Sequence, residues 1–282
     1  MSSSLATQPF PQPSSGTAEL ASSGAATFDG YRLIQRINKG KLAHVYKALS
    51  PSGEIVALKI FHGLGPVAQY SYVAEANAAI NLKHDNILET RHVGYFAGKP
   101  YVETPFCADG TLYDLLGRRS CLFTRDEALH VLLQLASALA YIHRKRVVDC
   151  DLKLTNIVVN SERRLHIKVA DLGYAISLDG ETALVGGTCG YAPKEQLECG
   201  KPDLAWDIHA FGVVMYQVIT FQCVFGMARD LRLVEALAGS LVRQLNEEML
   251  HDDPRKRPTA DDVLSILTTI DEMNRGESSP TN

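Results

Sequence analysis

From residue 31 the apolar positions fall into short runs. YRLIQRI, HVYKALS and EIVALKIF, spread over residues 31–61, are separated by the turn signals NKGK and SPSGE and predict three antiparallel strands. The pattern predicts a helix from about Val67 to Leu82, then two more strand-like runs, ILETRHVGYF and KPYVETPF. Beyond Thr111 the spacing changes. In EALHVLLQLASALAYIH the apolar residues recur at three and four, which predicts a long helix with one buried face. Further helices are expected around 205–220, 228–249 and 259–273, the last opening on Pro258-Thr259 ahead of DDVLSIL. The fold class expected is α+β, with a small β-rich lobe over 29–104 and a larger helical lobe over 105–274. No internal repeat interrupts this order.

The flanks differ in composition. Residues 1–28 are rich in Ser, Ala, Thr, Pro and Gly with Glu19 as their one charge, and are expected to be a disordered tail. They carry no Lys or Arg, unlike an organellar transit peptide, and Ser2 does not signal N-myristoylation. Residues 275–282 are expected to form a second short tail. The most apolar stretch, Ile208 to Phe225, is interrupted by His209, Gln217, Thr220 and Gln222. A membrane span needs about 20 mostly apolar residues, so this stretch predicts a buried helix and no membrane span.

Composition narrows the partners. The 282 residues are 46% hydrophobic and 21% charged, enough to bury a sizeable core. A net charge of −4 provides no global basic field, so nucleic acid is not expected as a partner. The six cysteines (107, 121, 150, 189, 199 and 223) show no C-x-x-C pair, and a reducing, cytoplasmic setting is expected. Nothing in the chain specifies an oligomeric state.

Candidate chemistry concentrates in VVDCDLKLTN, residues 147–156. Phosphoryl transfer needs a carboxylate to orient or deprotonate the attacking hydroxyl. It also needs a cation beside the moving group and oxygen ligands for a hard metal ion. Asp151, Lys153 and Asn156 supply these within six residues, and Asp171 adds an acidic oxygen at the end of the strand-like run LHIKVA. Lys59 closes VALK in a strand-like run, and Glu75 lies sixteen residues further on, in the first predicted helix. In NKGKLAHV (38–45), Gly40 allows close backbone approach to a bound group, with Lys39 and Lys41 adding charge. Taken singly, each has a plain structural reading: a surface lysine, a glycine hairpin, a common D-L-G. Their order along one chain is what carries weight.

That ordered set resembles the eukaryotic protein kinases of the serine/threonine type, over about residues 31–273. NKGKLAHV is similar to the glycine-rich loop, VALK to the nucleotide-anchoring strand, and DCDLKLTN to the catalytic loop H-R-D-L-K-x-x-N. DLG is similar to the metal-binding D-F-G, GTCGYAPKEQ (187–196) to the end of the activation segment, and DIHAFG (207–212) to a buried helix motif. DPRKRP (253–258) resembles the late motif whose arginine, here Arg257, pairs with Glu195. The resemblance implies a two-lobed fold, ATP as phosphate donor, Mg²⁺ or Mn²⁺, and a protein substrate. It implies Asp151 as catalytic base, Lys153 beside the phosphoryl group, and Asn156 and Asp171 as metal ligands. Nucleotide-contacting positions would be Ile37, Asn38, Gly40, Val45, Ala57, Lys59 with its partner Glu75, Thr104, Phe106, Cys107, Val158 and Asp171. Thr188 with Lys153 fits the serine/threonine pattern. Thr155 stands where kinases that prefer basic substrates often carry an acid.

Several positions depart from the family. Asn38 and Ala43 replace two glycines of the loop. Cys150 replaces the arginine that receives an activating phosphate, so activity is expected not to depend on activation-loop phosphorylation, with Ser177 and Thr182 the loop positions of interest. Asp149 replaces a histidine and Leu172 a phenylalanine that pack together in the family. A buried carboxylate is costly unless hydrogen-bonded, so Asp149 is expected to require a compensating partner. These departures leave a second reading open, a pseudokinase that binds nucleotide or partner proteins and acts as a scaffold. A small-molecule phosphotransferase of kinase-like fold is a third, against which the PKE element and Arg257 count.

Overall fold

The computed structural model describes residues 26–62, 65–119, 121–160, 165–180, 186–222 and 229–277. Thr182 and Cys223 lie outside these, as does most of the expected N-terminal tail. One antiparallel sheet occupies the N-terminal third. It comprises β1 (Thr27–Phe28), β2 (Tyr31–Lys39), β3 (Ala43–Leu49), β4 (Ile55–Phe61), β5 (His92–Phe96) and β6 (Lys99–Pro105), ordered β1-β2-β3-β4-β6-β5. Alternation along β4 buries Val56, Leu58 and Ile60 against Tyr31, Ala48 and Tyr101. Ala57 and Lys59 therefore face the other way. Cross-strand partners share a face, so Val45 and Lys47 of β3 and Val102 and Thr104 of β6 join them there. That face looks toward the rest of the chain and carries the polar chemistry.

Several boundaries differ from the sequence expectation. Thr27 and Phe28, expected in the tail, form β1 because the Phe28 ring packs edge-on against Phe96 at 5.2 Å and Tyr101 at 5.5 Å. The strand expected from Ile87 starts only at His92. Ile87 and Leu88 are drawn instead to Val169, with Leu88 N–H donating to Val169 O at 2.8 Å. The single helix expected over 228–249 is two. Gly239, at φ 94°, ends one and starts the next, a backbone geometry that no helix interior admits.

The helical region begins with α1 (Pro66–Asn81), which enters on Pro66 at its first position, and continues with α2 (Leu112–Arg118) and α3 (Arg125–Arg144). Both α2 and α3 open on capping boxes, Thr111 with Asp114 and Thr124 with Glu127. Short strands β7 (Val147–Val148), β8 (Ile157–Asn160), β9 (His166–Val169) and β10 (Ile176–Ser177) pair as β7 with β10 and β8 with β9. Then come α4 (Lys194–Leu197), α5 (Ala205–Thr220), α6 (Leu231–Ala238), α7 (Ser240–Met249) and α8 (Ala260–Glu277). Helix α8 runs past the boundary expected at 274, with Arg275 paired to Asp271 one turn earlier at 2.7 Å.

α5 lies at the centre of this region and is buried over most of its length, from Trp206 to Thr220. Together with α3 it forms the main core, where Leu135, Leu139, Ile142, Phe211, Val214 and Met215 are at most 1% exposed. Each such side chain contributes about 1.5–3 kcal/mol on leaving water. The consequence for function is rigidity. The loop between β7 and β8 is anchored on this core, with Leu152 and Leu154 at 1% and 0% exposure as its apolar pegs. Among the described residues no helix is long and apolar enough to cross a membrane.

Candidate active site

The alternating apolar and polar residues of 150–157 decide which side chains leave the core. Leu152, Leu154 and Ile157 point inward, so Asp151, Lys153 and Thr155 point the other way. A 3-10 turn over Leu154–Asn156 brings Asn156 back beside Asp151. Asp151, only 7% exposed, collects several donors. Lys153 Nζ donates to Oδ2 at 2.6 Å, Thr188 Oγ1 to Oδ1 at 2.6 Å, and Asn156 Nδ2 to Oδ2 at 3.2 Å and to the backbone carbonyl at 3.0 Å. Lys153 also donates to Thr188 Oγ1 at 2.9 Å. The hydroxyl of Thr188 thus shows that an alcohol can donate to this carboxylate.

A second cluster hangs from β4. Lys59 Nζ donates to Glu75 Oε1 of α1 and, at 2.7 Å, to Asp171 Oδ1. Burial pulls Lys59 toward its neutral form, but Asp171 and Glu75 outweigh it and hold the ammonium protonated above the ordinary lysine range. Burial pushes Glu75 up to about 7 against the pull of Lys59. Asp171 remains 46% exposed on its side chain. Its backbone is left-handed (φ 59°), which turns the carboxylate out of the β9 direction toward Lys59. Gly173 completes the approach. A Cβ there would collide with Ser71 Oγ and lie 2.9 Å from Glu75 Oε1, so a larger residue would have to displace both side chains.

The remaining candidate positions distribute over the cleft face. Val45, Ala57 and Thr104 lie on adjacent strands of the one sheet face, in register with Lys59 and Lys47. Phe106 and Cys107 follow β6, and Lys47 Nζ sits 4.8 Å from the Phe106 ring centre. Val158 in β8 faces the cleft from the helical side, bridged to Thr111. Ile37 and Asn38 lie in the last three residues of β2, and Ile37 is 44% exposed. Gly40 turns the hairpin, its N–H bonded to Ala43 O at 3.0 Å and its carbonyl 3.2 Å from His62 Nε2. Lys39 and Lys41 are exposed. The donor set fits a hard divalent cation. Asn156 uses its amide N–H groups on Asp151, which leaves the carboxamide oxygen unused, and Asp171 offers a carboxylate oxygen.

Asp149 has the partner its burial requires, although a modest one. Oδ1 accepts the Asp151 N–H at 3.1 Å across Cys150, whose backbone is left-handed (φ 67°). Oδ2 is buried without a partner. Burial and the neighbouring Asp207 push its carboxyl well above the usual range. Leu172 packs in the main core at 7% exposure. The buried helix motif acts through Asp207. Its carboxyl accepts from Asp149 N (2.8 Å), Cys150 N (2.9 Å) and His143 Nε2 (2.9 Å). Gln196 adds a bridge that no sequence signal announced, from Nε2 to Cys150 O at 2.7 Å and Gly186 O at 2.6 Å. Arg257 and Glu195 pair at 2.6 Å with Arg257 1% exposed on its side chain, which pins the segment that holds Gln196. Ser177 is exposed on β10.

Comparison with known proteins agrees with this geometry. The family model described as "Protein kinase domain" matches residues 31–267. Serine/threonine-protein kinase ULK3 of Homo sapiens is 26% identical over 275 residues, covering 90% of this chain and 58% of its own length. Probable serine/threonine-protein kinase PknB of Lactococcus lactis is 28% identical over 261 residues, covering 87% of this chain and 41% of its own. Serine/threonine-protein kinase 33 of Bos taurus is 28% identical over 269 residues, covering 86% and 55% respectively. The chain spans about half the length of these curated relatives.

Proposed function

The chain belongs to the protein kinase domain family, and from that premise we propose that it transfers the γ-phosphate of ATP to serine and threonine hydroxyls of protein substrates. The observation that carries this reading is the convergence of Lys153, Thr188 and Asn156 on the buried carboxylate of Asp151. In this role Asp151 orients the acceptor hydroxyl and takes its proton as the oxygen bonds to the γ-phosphorus. The bond from that phosphorus to the bridging β–γ oxygen breaks, and ADP leaves. Lys153 offsets the charge spread over the transferring group. Lys59, positioned by Glu75, holds the phosphates of ATP. Ile37, Asn38 and Gly40 cover them, Val45, Ala57 and Val158 enclose the base, and Thr104, Phe106 and Cys107 form its edge. Mg²⁺ or Mn²⁺, when bound, neutralises phosphate charge, and Asn156 and Asp171 are the residues suited to hold it.

Transfer of radiolabelled γ-phosphate to generic protein substrates with Mg²⁺ or Mn²⁺ tests this reading, beside Lys59→Met and Asp151→Asn controls. Label appearing on serine and threonine, and lost in both controls, is the expected result. Transfer that survives Asp151→Asn would remove that residue from its role. One observation favours the second reading, a nucleotide-binding scaffold: the unpartnered buried Oδ2 of Asp149 beneath the catalytic loop. ATP binding without any transfer is the outcome that would select it.

Regulation follows from Cys150. It is 4% exposed, and its carbonyl and N–H are held by Gln196 and Asp207, so no cation stands at that position to receive a phosphate. Phosphatase-treated protein is therefore expected to keep full activity. Inactivity restored by phosphate on the activation segment would refute this.

A further inference from the structure

Among the described residues, arginines are exposed or paired with a carboxylate, with one exception next to the activation segment. Among the described residues, Arg119, Arg243 and Arg257 are not exposed, and each has a carboxylate partner: Glu127 at 3.0 Å, Glu247 at 3.1 Å and Glu195 at 2.6 Å. Arg229 is half-buried as well and has none. Its neighbour Asp230 is committed to Arg232 at 2.7 Å. Arg229 Nη2 makes one long hydrogen bond, 3.3 Å, to the carbonyl of Gly190, and its Nε is buried with no partner. The adjoining stretch CVFGMA (223–228) contains no acidic residue that could serve. Burial lowers the Arg229 pKa, and the only group opposing that is the phenol of Tyr216. A guanidinium stays charged under such conditions and is costly to desolvate without a counter-charge.

Its position gives this spare charge a use. Thr188 touches Asp151 and Lys153, so the stretch Thr188–Tyr191 runs directly past the place where an acceptor hydroxyl must sit. Gly190 is two residues further along, at most about 7 Å of chain. A peptide presenting its hydroxyl to Asp151 lies against this stretch, with a flanking side chain within reach of Arg229. We propose that Arg229 binds an anionic side chain, a carboxylate or a phosphate monoester, flanking the acceptor residue of the substrate. The chain then selects acidic or already phosphorylated sites. Guanidinium suits both anions, since its fork can engage two oxygens at once.

This proposal builds on the kinase reading, so its test uses binding in place of turnover. Peptides with one central serine carry Asn, Asp or phosphoserine at each of three positions on either side. Their dissociation constants for the full chain are measured by fluorescence anisotropy. The expected result is one flanking position, or two adjacent ones, at which Asp or phosphoserine binds about tenfold tighter than Asn. Arg229→Gln should erase that difference, Arg229→Lys should keep most of it for Asp, and Arg229→Glu should transfer the preference to a peptide with Lys at that position. Thermal unfolding of each variant reports whether it folds. A preference unchanged in Arg229→Gln, or no position at which an anion tightens binding, overturns the proposal. Asp alone or phosphoserine alone tightening the complex identifies which anion source the site takes. Anion-dependent binding without γ-phosphate transfer would sink the kinase reading and leave this site standing, and transfer with no anion preference would do the reverse.

Discussion

Two carboxylates stand two residues apart in this chain with opposite surroundings. Asp151 receives Lys153, Thr188 and Asn156, all within 3.2 Å, and so shares its site with a cation. Asp149 receives one backbone N–H at 3.1 Å, has no cation, and faces Asp207. Burial is similar, 1% for Asp149 against 7% for Asp151, so exposure does not distinguish them. Partners do. Burial beside a second carboxyl, with a single N–H donor and no cation, favours the neutral form of Asp149.

The largest effect that would test this contrast is on Asp151. Asp151→Asn should reduce phosphate transfer by about 10²–10⁴-fold while ATP binding is retained, read by single-turnover kinetics and nucleotide titration. Next comes the support under Asp149. Asp207→Ala strands the N–H groups of Asp149 and Cys150 and the His143 ring, and should cost about 3 kcal/mol or more in denaturant unfolding. A loss below 1 kcal/mol would mean the loop does not rest on that carboxyl. Asp149→Ala should lower kcat by about tenfold with little change in the KM for ATP, because it frees the Asp151 N–H and the left-handed Cys150.

The smallest effect is the most diagnostic. Asp149→Asn preserves the acceptor for Asp151 N–H and should leave kcat within about threefold of the parent. It should also change the pH dependence of stability. The folded-state pKa of Asp149 lies well above its usual value of about 4, so the folded protein binds a proton that the unfolded chain has released. Stability from this group is greatest at low pH and falls as pH rises above about 4. Asp149→Asn should therefore gain thermal stability over the parent as pH rises from about 5 to 8. A constant difference across that range would show that Asp149 is already ionised.

Legibility in the sequence followed the range of the interactions. The run VALK puts Lys59 in a strand, and the spacing of DLKLTN puts Asp151, Lys153 and Asn156 in one loop, since both are local patterns. The pattern predicts one helix over 228–249 because a glycine at positive φ, here Gly239, looks the same in sequence as a tolerated helical glycine. Composition puts Phe28 in a tail, whereas its ring packs against Phe96 and Tyr101, about seventy residues away and invisible to local pattern. Gln196 and Arg229 gave no signal at all. A lone glutamine or arginine has a role only through what it meets.

By itself the sequence determined the two-lobed fold class, the family resemblance and the residue types assembled for phosphoryl transfer, because periodicity and short motifs encode local geometry. Tertiary structure alone decided the states of those groups. It gave Asp149 one N–H donor and left its Oδ2 without a partner, placed Asp207 and Gln196 as the clamps on Cys150, and left Arg229 without a counter-ion beside Gly190. The physical reason is that charge, burial and hydrogen bonding depend on neighbours brought together from distant parts of the chain.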